Sequence, residues 1–265
     1  MSNPYSSISF TDVASRYNRI NTIPDDAAIT LGKSIANLSE GEGLVLDMGC
    51  GAGRIAIPAV QAGVNVLGVE IDSAMLQQAT RGAKELTFHG VQGDIVQLPL
   101  ADNSMSVVLS INVLHLVPAW QEVLQEAVRV LQPNGLFVQG RDWLDPASCA
   151  GQLRFKLREV VMGLMPNLRP TAAASPKVMA EALTAMGGTM QESIVATRWV
   201  VHQSPADILE QMAHRQHNET WMLTDDVLAE AVQQLTAWAN DTWDDIHAVQ
   251  AVEKQFLLTP TTGLA

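Results

Sequence analysis

The stretch Leu44–Arg54, LVLDMGCGAGR, constrains this chain more than any other. An apolar run carrying one acid, Asp47, ends in Gly49, Gly51 and Gly53 at GxGxG spacing, and helix-compatible residues follow at once. A backbone that leaves a strand and enters a helix within so few residues needs positions free to adopt φ above zero, which glycine does without a Cβ penalty. Strand, glycine turn and helix form the first unit of an open α/β sheet, in which a ligand sits beyond the carboxyl ends of the strands.

The same rhythm continues. RIAIPAVQAG is a short helical stretch, NVLGVEID a second apolar run, and SAMLQQATRGAKE a helix with Met75, Leu76 and Ala79 on one face. LTFHGVQGDI, the strand-like SVVLSINV, the helix AWQEVLQEAVRVL, the turn QPNG and the run LFVQGR then follow. Continuous apolar strands separated by amphipathic helices predict an α/β fold: a Rossmann-like, seven-stranded, mostly parallel sheet with helices on both faces.

After Arg141 the pattern changes. PASCAGQLRFKLREVVMGLM puts Leu153, Leu157, Val160, Val161 and Leu164 on one helical face with no strand directly after it, the mark of a helical lid insertion. SIVATRWVVH alternates like a strand and VEKQFLLT forms the last one, expected to run antiparallel. The expected organisation is a helical cap over 1–40, including DVASRYNRI, an α/β core over 41–141, the insertion over 142–192, and completion of the sheet over 193–265.

Charge narrows the partners. The 16 Lys+Arg against 28 Asp+Glu leave a net charge of -12, which opposes attraction to nucleic acid and to anionic membranes. Cys50 and Cys149 form no CxxC pair, so neither a disulfide framework nor a thiolate metal site is expected. The start lacks the apolar core of a signal peptide and no apolar run reaches membrane-spanning length, so the expectation is a soluble cytoplasmic protein, monomeric or a homodimer.

The glycine turn admits two kinds of ligand. A dinucleotide site shows GxGxxG and offers a helix N-terminus to a pyrophosphate. Here the third glycine comes one residue early, and Asp47 just before the turn repels a pyrophosphate while welcoming an ammonium group. Glu70 ends the second strand, where an acid accepts hydrogen bonds from ribose hydroxyls. This charge pattern favours adenosine joined to an amino acid.

VLDMGCGAGR, GVEIDSAML, GDIVQLPLADNSMSVVLSINVLHLV and LQPNGLFVQG, taken in order, resemble the successive motifs of class I S-adenosylmethionine-dependent methyltransferases, in particular the group related to the ubiquinone and menaquinone C-methyltransferases. The resemblance implies S-adenosyl-L-methionine as cofactor, S-adenosyl-L-homocysteine as product and a small-molecule methyl acceptor. It implies that Asp47, Gly49, Cys50, Gly51 and Gly53 hold the methionine part and that Glu70 binds the ribose. Ile71 would pack on adenine, with Asp94 and the backbone of Ile95 meeting its amino group; Met75 and Asn112 complete the set. Tyr17 would close over the carboxyl end, although Asn18 stands where relatives carry an acid, and Ser106 replaces a common aspartate. The alternative is a methyltransferase-like module that binds the donor without transferring its methyl group.

Methyl transfer from a sulfonium is an in-line displacement that positioning alone accelerates strongly. His115, just after the fourth strand, is the candidate base for an oxygen or nitrogen nucleophile. His214 and His217 share a helical face but lack a third ligand nearby, so no metal is expected. Arg54 could meet the donor's carboxylate or face solvent; Arg154 and Arg158, at i and i+4, could meet an anionic acceptor or only solvate a face. Trp143, Trp199 and Trp221 could line a pocket or pack the core, and Met162, Met165, Met179 and Met186 would make the insertion adaptable.

Overall fold

The computed structural model describes residues 22–39, 43–84, 86, 88–167, 175–221 and 223–264. Tyr17 and DVASRYNRI lie outside the described residues. The strands are β1 (Val45–Met48), β2 (Val66–Glu70), β3 (His89–Gln92), β4 (Met105–Ile111), β5 (Leu131–Leu144), β6 (Thr189–Met190), β7 (Ile194–Gln203) and β8 (Gln250–Thr262). The helices are α1 (Asp25–Leu38), α2 (Ala56–Gln61), α3 (Ser73–Ala83), α4 (Trp120–Val130), α5 (Cys149–Leu164), α6 (Pro176–Ala185), α7 (Pro205–Ala213) and α8 (Asp225–Thr242).

The sheet runs β3-β2-β1-β4-β5-β8-β6, with β7 also pairing β8. β1 pairs in parallel with β2 on one side and β4 on the other, and β2–β3 and β4–β5 are parallel as well. Strand order therefore reverses at β1 and β4, and the crevice at such a reversal is where open α/β sheets bind ligands. The parallel strands are apolar because helices flank the sheet: Leu46, Met48, Val108 and Phe137 pack with Trp120, Val123, Leu124 and Ala127 of α4. Asp72 starts α3 by accepting from Met75 N at 2.9 Å, and Ser204 with Asp207 forms a capping box on α7.

Among the described residues the sheet has eight strands where seven were expected. The expected sixth strand, SIVATRWVVH, is present whole as β7, and the added one is the short β6, which pairs antiparallel with β8 through Thr189↔Thr262 and Met190↔Thr261. Gln191 N still donates to Pro260 O at 2.8 Å, but Pro260 has no N–H to return and the ladder breaks there.

The chain divides into two compact units. One contains the described residues of Trp143–Arg169 and Arg198–Gln255, with α5, α7 and α8 around Leu153, Leu157, Ile208, Met212 and Leu235. The other contains those up to Asp142, of Pro170–Thr197 and of Phe256–Ala265. The helix α6, expected within the 142–192 insertion, groups with the sheet instead, because its Met179 and Leu183 join the core under α4.

Candidate active site

The glycine turn is built on the carboxyl end of β1. Gly49, Gly51 and Gly53 have φ of +69, +53 and +82°. Gly49 N and Cys50 N both donate to Val69 O, at 2.8 and 3.1 Å, which folds the turn back onto β2. A Cβ at Gly49 would lie 2.6 Å from Val113 Cγ2, whereas one at Gly51 would have nothing within 4 Å. The turn is thus packed underneath and open at its tip.

Two carboxylates flank it. Asp47 is 1% exposed and its Oδ2 is buried with no hydrogen-bond partner. Burial first, and the nearby Glu70 second, push its pKa from 3.8 to about 7. Glu70 Oε2 accepts from Gly51 N and Oε1 from Asp72 N, each at 2.9 Å, so this one side chain ties the glycine turn to the start of α3. Burial also raises Glu70 above the usual carboxylate range, opposed by those backbone bonds. Each carboxylate oxygen has a second lone pair, which leaves Glu70 able to accept from ribose hydroxyls. Cys50 is buried; burial, Asp47 and Glu70 hold its thiol far above its ordinary pKa.

This electrostatic setting discriminates between ligands. A buried carboxylate beside a half-buried one, short of countercharge, is relieved by a cationic ligand and made worse by a pyrophosphate. An orphaned Asp47 oxygen, an open Gly51 tip and a Glu70 carboxylate bonded to Gly51 N fit an adenosyl amino acid bearing positive charge. The residues present therefore suit S-adenosylmethionine.

The other expected cofactor residues fall into two groups. Ile71 is 61% exposed just past β2, with its carbonyl accepting from Gln92 Nε2 at 3.2 Å, a surface on which a flat base can lie. Asp94 is exposed and its Oδ1 accepts from Val96 N at 2.9 Å. By contrast the Ile95 side chain is buried in the core that includes α4, and Met75 packs against Ala52 of the turn. His115 is half-buried on the short 3-10 turn Leu114–Leu116 that follows β4.

Asn112 and Arg54 converge on a residue the sequence reading passed over. Asp142 Oδ2 accepts from Arg54 Nη1 and from Asn112 Nδ2, both at 2.9 Å, and its Oδ1 accepts from Arg54 Nη2 at 2.5 Å. The Arg54 guanidinium also lies over the Phe256 ring, 5.6 Å from its centroid. The sequence signal for Asp142 is positional only: it lies near the carboxyl end of β5, as Asn112 lies just past that of β4.

In the helical unit, Arg154 and Arg158 both pair with Glu219 Oε1, an internal partner where solvent or an anionic acceptor was expected. His214 Nδ1 contacts Glu210 O of its own helix at 2.9 Å, and His217 Nε2 is buried without a partner. Trp199 is buried, Trp221 Nε1 donates to Arg215 O at 2.9 Å, and Met162 is 67% exposed.

Residues 46–139 match the family model described as a methyltransferase domain. Over 126 residues the chain is 34% identical to an arsenite methyltransferase of Halobacterium salinarum, a match taking in 44% of this chain and 32% of that protein. Over 109 residues it is 35% identical to a sterol 24-C-methyltransferase of Pneumocystis carinii, covering 38% of this chain and 28% of the other. The chain spans less than half the length of these curated relatives. The YcgJ protein of Bacillus subtilis shares the fold, with a TM-score of 0.56 at 18% identity over 89% of this chain and 98% of that one. The glycine turn, its paired carboxylates and the matched segment agree on a methyltransferase domain over residues 46–139.

Proposed function

We propose that the protein transfers a methyl group from S-adenosylmethionine to a small molecule by in-line displacement. The observation that carries this reading is the open tip of the glycine turn at Gly51, set between the unpaired Asp47 oxygen and Glu70. When bound, the donor supplies an electrophilic methyl group on a sulfonium. Asp47 meets the positive end of the donor, Glu70 takes the ribose hydroxyls, and Ile71 and Asp94 receive the base. The glycine turn positions the methyl group, and positioning accounts for most of the acceleration, up to roughly 7–11 kcal/mol in favourable models. For an oxygen or nitrogen nucleophile, His115 takes the proton, a contribution of about 100- to 10,000-fold.

A small-molecule acceptor is supported by the arsenite and sterol activities named for the relatives and by the net charge of -12, which disfavours nucleic acid. Among the described residues no helix is long and apolar enough to cross a membrane. Calorimetric titration with S-adenosylmethionine and S-adenosylhomocysteine tests the donor: saturable binding of both is expected, and binding of neither rejects the reading. Incubation with methyl-labelled donor and fractionated metabolites then separates transfer from binding alone, since label must appear in a small molecule.

A further inference from the structure

Asp142 has no assigned role, yet it ties together the ends of several elements. We propose that Asp142 is a positioning residue: its carboxylate clasps Asn112 and Arg54 and thereby fixes the turn after β4 against the glycine turn. Only the donor-affinity half of the test below rests on the function proposed above.

The clasp starts from strand register. β4 and β5 pair as far as Ile111↔Gly140, which puts Asn112 and Asp142 just beyond the last rung at the carboxyl end of the sheet. Asn112 has φ of +51°, a left-handed conformation that asparagine adopts more readily than other residues with a Cβ but still at a cost relative to glycine, which bonds from its surroundings offset. Two such bonds run to β5: Asn112 N donates to Gly140 O at 3.3 Å, and Asn112 Nδ2 donates to Asp142 Oδ2 at 2.9 Å.

Arg54 fixes the carboxylate in turn. Its side chain is only 12% exposed and covers Phe256, so its two Nη groups find in Asp142 the partner that water cannot fully supply. A bidentate arginine–carboxylate fork sets orientation as well as distance. Asp142 itself remains 38% exposed.

What the clasp controls is the next residue. Val113 fills the space that a side chain at Gly49 would need, with Cγ2 2.6 Å from the ideal Cβ position there. Where Val113 sits therefore sets the inner wall of the glycine turn, and the same short segment carries His115 on the turn Leu114–Leu116. The line of action runs from Asp142 through Asn112 to Val113 and Gly49.

The test uses the full chain and four proteins: wild type, Asp142→Asn, Asn112→Gly and the double variant. Amide hydrogen exchange is followed at Leu116 and Val117, whose N–H groups bond Val113 O and Leu114 O. S-adenosylhomocysteine affinity is measured by titration. Asp142→Asn is expected to speed exchange at these amides about tenfold and to weaken the ligand about five- to thirtyfold. Glycine adopts the left-handed conformation without a clasp, so in the Asn112→Gly background Asp142→Asn should change either quantity by less than about twofold.

Equal effects of Asp142→Asn in both backgrounds, or no effect on exchange in either, overturn the proposal. Should Asp142→Asn fail to fold, Asp142→Glu, which keeps the charge but displaces it, is read against the same expectations. A wild-type protein that does not bind S-adenosylhomocysteine rejects the donor reading, while the exchange data still decide the clasp.

Discussion

At the scale of single residues, Asp47 shows stability and binding pulling in opposite directions. Its carboxylate is buried, one oxygen lacks a partner, and its pKa stands at about 7 where 3.8 is ordinary. The unfolded chain loses this proton near pH 3.8 and the folded chain only near 7, so between those values the folded state binds more protons. Stability from this group is accordingly present at acid pH and declines as pH rises through the window, by up to about 4 kcal/mol from the size of the shift. Asp47→Asn removes the titration while keeping the shape. Melting curves are expected to show the variant several degrees more stable at pH 7.5 and the advantage gone at pH 4, with donor affinity reduced at pH 7.5. An advantage of the same size at both pH values would mean that the wild-type carboxylate is satisfied when ionised.

At the scale of elements, the glycine turn separates two requirements that sequence spacing merges. Gly49 and Gly51 both need positive φ, which costs an alanine roughly 1–2 kcal/mol. Gly49 must in addition accommodate Val113, whereas Gly51 faces open space. Gly51→Ala should therefore lower the melting temperature only modestly and yet abolish most donor binding, because its methyl group enters the cradle. Gly49→Ala should destabilise the fold by more than Gly51→Ala, since Val113 and the turn after β4 have to move. Equal losses of stability for the two variants, read from denaturant unfolding, would contradict the difference in packing.

The same elements mark what a sequence can carry. The turn, the apolar runs of β1, β2 and β4, and the caps Asp72 and Ser204 are local, since each is set by residues within a few positions. Glu70 was legible as the acid closing β2, but its second duty, holding Gly51 N, depends on a contact 19 positions away. Asp142 meets Arg54 across 88 positions, and neither residue is unusual where it stands. The short β6 was equally hidden, because it pairs with β8, a strand that arrives only after the chain has returned. Local chemistry is written in spacing, whereas long-range pairing has to be seen.

At the scale of the whole molecule, the two compact units answer acid with opposite signs. In the helical unit, Glu219 is half-buried against Arg154 and Arg158, and His217 lies beside it with a buried Nε2. Burial first, then the positive charge of Arg154, lower the His217 pKa from 6.5 to about 4, with Glu219 opposing and Lys254 adding to the fall. Between those values the unfolded chain binds the extra proton and the folded chain does not. Stability from His217 is thus complete above pH 6.5 and is lost as pH drops toward 4, by about 2–3 kcal/mol from the size of the shift. Glu219, held below the usual carboxylate range chiefly by Arg154 against the cost of burial, loses its share only at still lower pH. The sheet unit gains from Asp47 over much of the same interval, so a single melting temperature hides two opposed trends. Hydrogen exchange, corrected for its intrinsic pH dependence, resolves them: from pH 7 to pH 5, amides of α5 and α8 should lose protection relative to those of β1 and β4. His217→Gln, which cannot titrate, should remove that loss in α5 and α8 and leave the sheet unaffected. Persistence of the loss in the variant would assign the acid sensitivity to another group in the helical unit.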